Sequence, residues 1–166
     1  HGDGSWYSIN GNIDYQCTSR KNKQRMITFS YKINTQPQTS NSNTGYEDIH
    51  AKEEVDDLVK RLLLKNSQSD GKTNTMEQTF QVDYTTPIGE LHTVEAGAKY
   101  IFRRNTSDNK LYEAAGGSDD YLYNEDRSSD YRHLNHILAA YLGYTLKYKD
   151  FTFKPGVRYE QTVQRV

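Results

Sequence analysis

Three stretches of the chain alternate apolar and polar residues with a period of two, and each folds back through a short turn. In "SWYSINGNIDYQCTS", Tyr7, Ile9, Ile13 and Tyr15 share one face, opposite Ser8, Asn10, Asn12, Asp14 and Gln16. After "RKNKQ" the pattern resumes, with Ile27, Phe29, Tyr31 and Ile33 opposite Thr28, Ser30, Lys32 and Asn34. "QVDYTTPIGELHTVEAGAKYIF" places Val82 and Tyr84, then Val94, Ala96, Ala98, Tyr100 and Phe102, on one side of a five-residue turn. Gln81, Asp83, Thr85, Glu95, Gly97, Lys99 and Arg103 fall on the other. The third stretch joins "LNHILAAYLGYTLKY" to "FTFKPGVRYEQTV" through Lys149-Asp150. Such alternation with turn residues between the runs predicts antiparallel hairpins at about 5–34, 76–103 and 134–164.

Connections within the hairpins are tight, whereas those between them run to tens of residues, at about 35–75 and 104–133. The first long connection carries Ile49, Val55, Leu58, Val59 and Leu62 at helical spacing, which predicts one short helix. The second is acidic and broken by Gly116-Gly117, and reads as a loop. Pro155 interrupts the last strand and predicts a bulge or local edge, since proline donates nothing to a ladder. The fold class is therefore all-β, an antiparallel up-and-down meander of about six long strands. Short turns at one end and long loops at the other are the asymmetry of a transmembrane β-barrel.

Strand length separates lipid from a protein core. Sandwich strands usually span about 5–6 residues and lipid-spanning strands about 9–11; the alternating runs here reach ten or more. Tyrosines on the apolar faces gather near strand ends (Tyr7, Tyr15, Tyr84, Tyr100, Tyr148, Tyr159), as interfacial girdles require. Composition changes the picture only modestly. The mean hydropathy is -0.98, and 34% of the residues are hydrophobic, too little oil for a large globular core. With 21 Lys and Arg against 22 Asp and Glu, nothing calls for nucleic acid. A soluble extracellular β-module of adhesin type, binding glycan or protein, is the alternative; it would bury the apolar faces between two packed sheets.

"TFQVDYTTPIGELHTVEAGAKYI", "HILAAYLGYTLKYKDFTFKPGVRYE" and "RMITFSYKIN" resemble the barrel portion of outer-membrane receptors of the TonB-dependent type, in particular the large outer-membrane β-barrel family of the Bacteroidetes. The likeness covers essentially the whole chain, and "DYTTPIG" and the paired "AAYLGYT" and "GVRYE" are its most specific pieces. It implies a barrel of about 22 antiparallel strands plugged by an N-terminal domain. It also implies residence in the outer membrane of a Gram-negative cell with the long loops extracellular. The implied activity is uptake of scarce nutrients, siderophores or oligosaccharides, energised from the inner membrane. The implied partners are membrane lipid, the remaining strands and plug, and the TonB system. Nothing in the chain resembles the plug or the box that contacts the energy-coupling protein, so the expectation is a barrel fragment, inactive alone.

No nucleophile elbow, P-loop or metalloprotease signature occurs, so neither an enzyme nor a cofactor is expected. His133 and His136 sit three apart and point to opposite faces of a strand, which opposes chelation. Asp119, Asp120, Glu125 and Asp126 match no calcium-loop spacing. The side chains best placed to line a pore or bind ligand are the ionisable groups on the polar faces: Asp83, Glu95, Lys99, Lys154, Arg158 and Glu160. Mutual ion pairing between strands is the competing role for them. The identity of the ligand is not written in these residues.

Overall fold

The computed structural model describes residues 1–45, 65–115 and 120–166. Eight strands make one antiparallel sheet: β1 (Gly2–Trp6), β2 (Ile9–Thr18), β3 (Met26–Thr44), β4 (Lys65–Ile88), β5 (His92–Ala115), β6 (Leu122–Tyr148), β7 (Phe151–Phe153) and β8 (Gly156–Arg165). Neighbours follow chain order, with β1 and β2 both on β3 and β7 and β8 both on β6. The eight strands thus trace six lines of chain, the simple meander that the alternation predicts. Among the described residues all eight strands belong to this one sheet, where a sandwich would need two.

Two prolines account for the two divided lines. Trp6 pairs with Gln38 and Ile9 with Thr35, and between them Tyr7 donates its backbone N–H to the Pro37 carbonyl at 3.3 Å. Likewise Tyr144 donates to the Pro155 carbonyl at 3.0 Å, between the Gly143–Gly156 and Leu146–Phe153 pairs. Each proline lacks the N–H that would return the second bond of its pair. At Pro155 the expected bulge is absent, because the register is the same on both sides of the gap and no residue is left over.

The turns follow local chemistry. Between β2 and β3, Ser19 donates to the Arg25 carbonyl at 2.9 Å, and the Asn22 side chain accepts from the Gln24 N–H at 3.0 Å. Between β4 and β5 the connection is three residues, shorter than the five expected, with Gly89 at φ 68°. Lys149-Asp150 joins β6 to β7, and Lys149 adopts φ 51° without a glycine's freedom.

The expected long loops at 35–75 and 104–133 require correction. β3 runs on to Thr44, β4 begins at Lys65, β5 reaches Ala115 and β6 begins at Leu122. These extensions are largely polar, and their few apolar residues, such as Leu111, Tyr112 and Tyr123, do not alternate over a long enough run for hydrophobic period to reveal them. The short helix expected around Ile49–Leu62 lies outside the described residues.

The chain divides into two compact units, one of His1–Ser8, Gln36–Asn74 and Asn105–Arg132, the other of Ile9–Thr35, Thr75–Arg104 and His133–Val166. The second unit holds the alternating runs from Ile9 onward. Its apolar face is open: Ile13 and Val157 are each 70% exposed and Leu142 is 52% exposed. Across β6 and β8 that face pairs Leu142 with Val157 and Ala140 with Tyr159. A row of rings crosses four neighbouring strands on it. Tyr31 lies 4.8 Å from Phe80, Phe80 6.4 Å from Tyr100, and Tyr100 6.2 Å from His136. Towards the tight turns, His92 bonds the Tyr144 hydroxyl at 2.5 Å. Apolar side chains left uncovered on one whole face, with aromatic groups near both ends, suit a hydrocarbon surround rather than water.

In the first unit the organising group is Glu113. Its carboxylate accepts from Asn124 at 2.8 Å, Arg127 at 2.5 Å and Lys65 at 3.3 Å. The Asn124 hydrogen bond, seconded by Lys65 and Arg127, holds the Glu113 carboxyl below its ordinary pKa against a smaller opposing effect of desolvation.

Candidate functional site

The polar face of the second unit is built around Tyr141. Strand parity puts this phenol opposite Leu142's face, among charges, where a tyrosine has no lipid to meet. The β5–β6 register is set by Lys147, whose N–H donates to the Leu91 carbonyl at 2.8 Å. It brings Tyr141 opposite Gly97, Glu95 opposite Gly143 and Lys99 opposite Ala139. A Cβ on Gly97 would collide with the Tyr141 ring, so the glycine is the floor over which the ring lies. Passing over β5 in this way, the Tyr141 hydroxyl donates to the Asp83 carboxylate on β4. Gln81 donates to the other oxygen of Asp83 at 2.8 Å. Three strands are thereby tied by one side chain.

The remaining candidates surround this tie. Arg158 stands directly across from Tyr141 on β8, and Glu160 directly across from Ala139. Arg158 donates to Glu160 at 2.6 Å along the same strand. Ala139, flanked by Lys99 on one side and Glu160 on the other, is only 4% exposed. Lys154 follows the same register to a place beside Thr145, which is 8% exposed. The structure therefore gathers Asp83, Glu95, Lys99, Arg158 and Glu160 on one face around Tyr141, with Lys154 further towards the tight turns.

Ion pairing between strands is present but falls on residues outside that set. Arg103 on β5 grips one Glu77 oxygen on β4 with two nitrogens, at 2.8 and 2.5 Å. Asp83, in contrast, is held by a phenol and an amide. Between β2, β3 and β4 a polar hollow of about 550 Å³ is lined by Asn12, Asp14, Lys32, Glu77, Thr79 and Gln81. Amides, hydroxyls, carboxylates and cations make this a face for hydrogen-bonding and ionic contacts. Tyr141, Gly97 and the Arg103–Glu77 pair escape a search for isolated charges; the parity of Tyr141 against Leu142 is the signal that could have found it. Among the described residues no group of three or more His, Cys, Asp or Glu side chains gathers as for a metal ion. His136 is held by the Tyr100 hydroxyl at 2.8 Å, and Asp119 lies outside the described residues.

A family model described as "Outer membrane protein beta-barrel family" matches residues 6–166. No curated protein matches the chain. Among solved structures it is similar to the ferric citrate transporter FecA in the unliganded form, with a TM-score of 0.48 and 14% sequence identity. That match covers 96% of this chain and 21% of that one, so the chain spans about a fifth of the length of the protein it matches.

Proposed function

Because this chain belongs to the outer membrane protein beta-barrel family, we propose that it forms part of the wall of a TonB-dependent nutrient receptor of the Bacteroidetes type. The apolar face meets lipid and the polar face lines the interior. The observation that carries this reading is the sorting of ionisable groups. Asp83, Glu95, Lys99, Arg158 and Glu160 share the face opposite an uncovered apolar one, and a built tie through Tyr141 rigidifies it. Lys99 and Lys154 have no hydrogen-bond or ion-pair partner among the described residues, which leaves two ammonium groups for a plug or a passing ligand. The resemblance in "DYTTPIG" and in "AAYLGYT" with "GVRYE" supports the receptor class. The role is one of binding and passage rather than catalysis, and the long connections face the cell exterior.

Cells carrying or lacking the intact protein, with and without a working inner-membrane coupling complex, provide the test on a panel of limiting nutrients. Growth that requires both the protein and the coupling complex is the expected result. Steady ion conductance by the purified intact protein in a planar bilayer, without coupling, would overturn the receptor in favour of an open channel. Orientation is read separately, in a Cys17→Ser background. An impermeant thiol reagent on intact cells should label Asn109→Cys and spare Asp150→Cys.

A further inference from the structure

One rung of the polar face crosses all six lines of chain in the second unit. Asn10 pairs with Asn34. Tyr31 beside Phe80 sets β3 on β4, so Asn34 falls across from Glu77. Glu77 is bound to Arg103, Phe102 beside His136 puts Asn135 across from Arg103, and Asn135 pairs with Gln164. The rung therefore runs amide, amide, carboxylate, guanidinium, amide, amide. It lies at the end of this unit away from the Gly89 turn. The side-chain oxygens of Asn34 and Asn135 are buried without a hydrogen-bond partner, and no other buried side-chain nitrogen or oxygen among the described residues is left so. A buried acceptor left unmet is costly, and two in one rung, on either side of an ion pair, call for an occupant that brings donors. Asparagine χ2 is broad, so a turn of either amide offers its oxygen to a group lying over the rung. Asn34 and Glu77 line the polar hollow, which gives such a group room.

We infer that this rung seats an extended peptide ligand and reads its main chain. Neighbouring strands stand about 4.8 Å apart, so Asn34 and Asn135 are separated by about 14 Å, the length of four extended residues. In an extended chain the N–H and C=O of alternate residues point to one side. Residue i of the ligand meets the Asn34 amide and residue i+4 the Asn135 amide, each accepting from N–H and donating to C=O. Residue i+2 falls midway, over Glu77 and Arg103. Both Arg103 bonds end on Glu77 Oε2, so Oε1 is left to accept its N–H and Nη1 to donate to its C=O. The rung is neutral as a whole, which disfavours an anionic or cationic ligand. Neither it nor the next rung towards the turns (Asn12, Lys32, Thr79, Ile101, Ile137, Thr162) offers a ring on which a sugar would stack. That the peptide is incoming cargo rests on the receptor reading above; the seat rests on the rung alone.

Calorimetric titration of the purified intact protein with an acetylated, amidated heptapeptide of alanine and serine tests the seat. Wild type should bind one peptide, and the fully N-methylated peptide of the same sequence should bind about tenfold more weakly or worse. Asn34→Ala and Asn135→Ala should each weaken binding about fivefold, and together about 25-fold, since the two positions are far apart. Thr162→Ala should bind as wild type does. Without peptide, each asparagine variant should melt no lower than wild type, because it discards an orphan oxygen rather than a bonded one. A lowered melting point of the empty variants would mean that the protein's own chain already meets these amides, and would overturn the seat. So would equal binding of the N-methylated peptide, or unchanged binding in the double variant. A neutral oligosaccharide bound through Asn34 and Asn135 in place of the peptide would refute the stated occupant. The titration needs no coupling complex, so a failed seat leaves the energised-uptake test untouched, and a channel result in that test leaves the seat standing.

Discussion

A single methyl group at Gly97 is the most searching perturbation of the polar face. Any Cβ there meets Cζ, Oη and Cε1 of Tyr141 well inside van der Waals contact, so the ring must swing away. When it leaves, the phenol's hydrogen bond to Asp83 goes with it, a loss of about 1.5–3 kcal/mol for a bond to a charged acceptor. Replacing glycine in a strand interior returns roughly 0.5–1 kcal/mol of backbone entropy. Gly97→Ala should therefore destabilise the barrel by about 1–2 kcal/mol net. In a Tyr141→Ala background there is no ring to displace, and the same substitution should be neutral or stabilising by about 0.5–1 kcal/mol. Denaturant titration of the four proteins of this cycle, refolded into vesicles of one lipid composition, gives the coupling energy, expected near 2 kcal/mol. An equal cost of Gly97→Ala in both backgrounds would refute the tie and leave the contact an accident of packing.

Leu142→Ala should cost less than about 1 kcal/mol, because fluid lipid fills the gap; in a close-packed core such a change costs about 2–5 kcal/mol. Leu142→Arg in the same vesicles should cost about 2–4 kcal/mol if the position lies near the bilayer midplane. Gly89→Ala should destabilise the β4–β5 hairpin by about 1–2 kcal/mol, through its positive φ alone, since no atom crowds the site. Lys149→Gly should shift stability the opposite way in the same titration, by relieving the one non-glycine positive φ found among the described residues. Glu113 carries a depressed pKa in the folded state, so its contribution is present above the ordinary glutamate value of 4.5 and is lost as pH falls through the lowered one. Glu113→Gln should accordingly be less stable than wild type at neutral pH, and the difference should shrink in acid. Proteolytic protection at β5 and β6 followed against pH reads this, and a gap that widens on acidification would contradict the assigned cause.

Face assignment was legible in the sequence wherever the two faces differ in polarity. Ile13 with Tyr31, and Leu142 with Val157, share a face in the structure as alternation requires. The Lys149-Asp150 turn was equally plain. Beyond Thr35 and Arg104 the strands continue mainly with serine, threonine, asparagine and charges, and the few apolar residues among them make no sustained alternation. The candidate charges were found by their mid-strand positions, but their centre was not. Tyr141 stands out only once Gly97 is known to lie opposite it, and cross-strand register is a property of pairing, not of either strand alone. Pro155 was correctly suspected of disturbing the ladder; the preserved register shows that removing a donor need not add a residue.

The paired prolines have a consequence for how the sheet comes apart. Each sits at a hydrogen-bonded position opposite a tyrosine, Pro37 against Tyr7 and Pro155 against Tyr144, and each leaves a rung half made without shifting the rungs on either side. Such a gap acts as a firebreak for fraying. An opening of the β1–β3 ladder stops at Tyr7 before the ten-residue ladder of β2 is touched. The short Phe151–Phe153 segment can likewise open and reclose without unzipping β8. Because the spacing across each gap is conserved, a frayed segment rejoins with its apolar and polar sides correctly sorted, where a slip by one residue would invert them. Amide protons of Gly4 and Ser5 should therefore exchange on a faster clock than those of Ile13 and Asp14, with the change of rate falling at Tyr7.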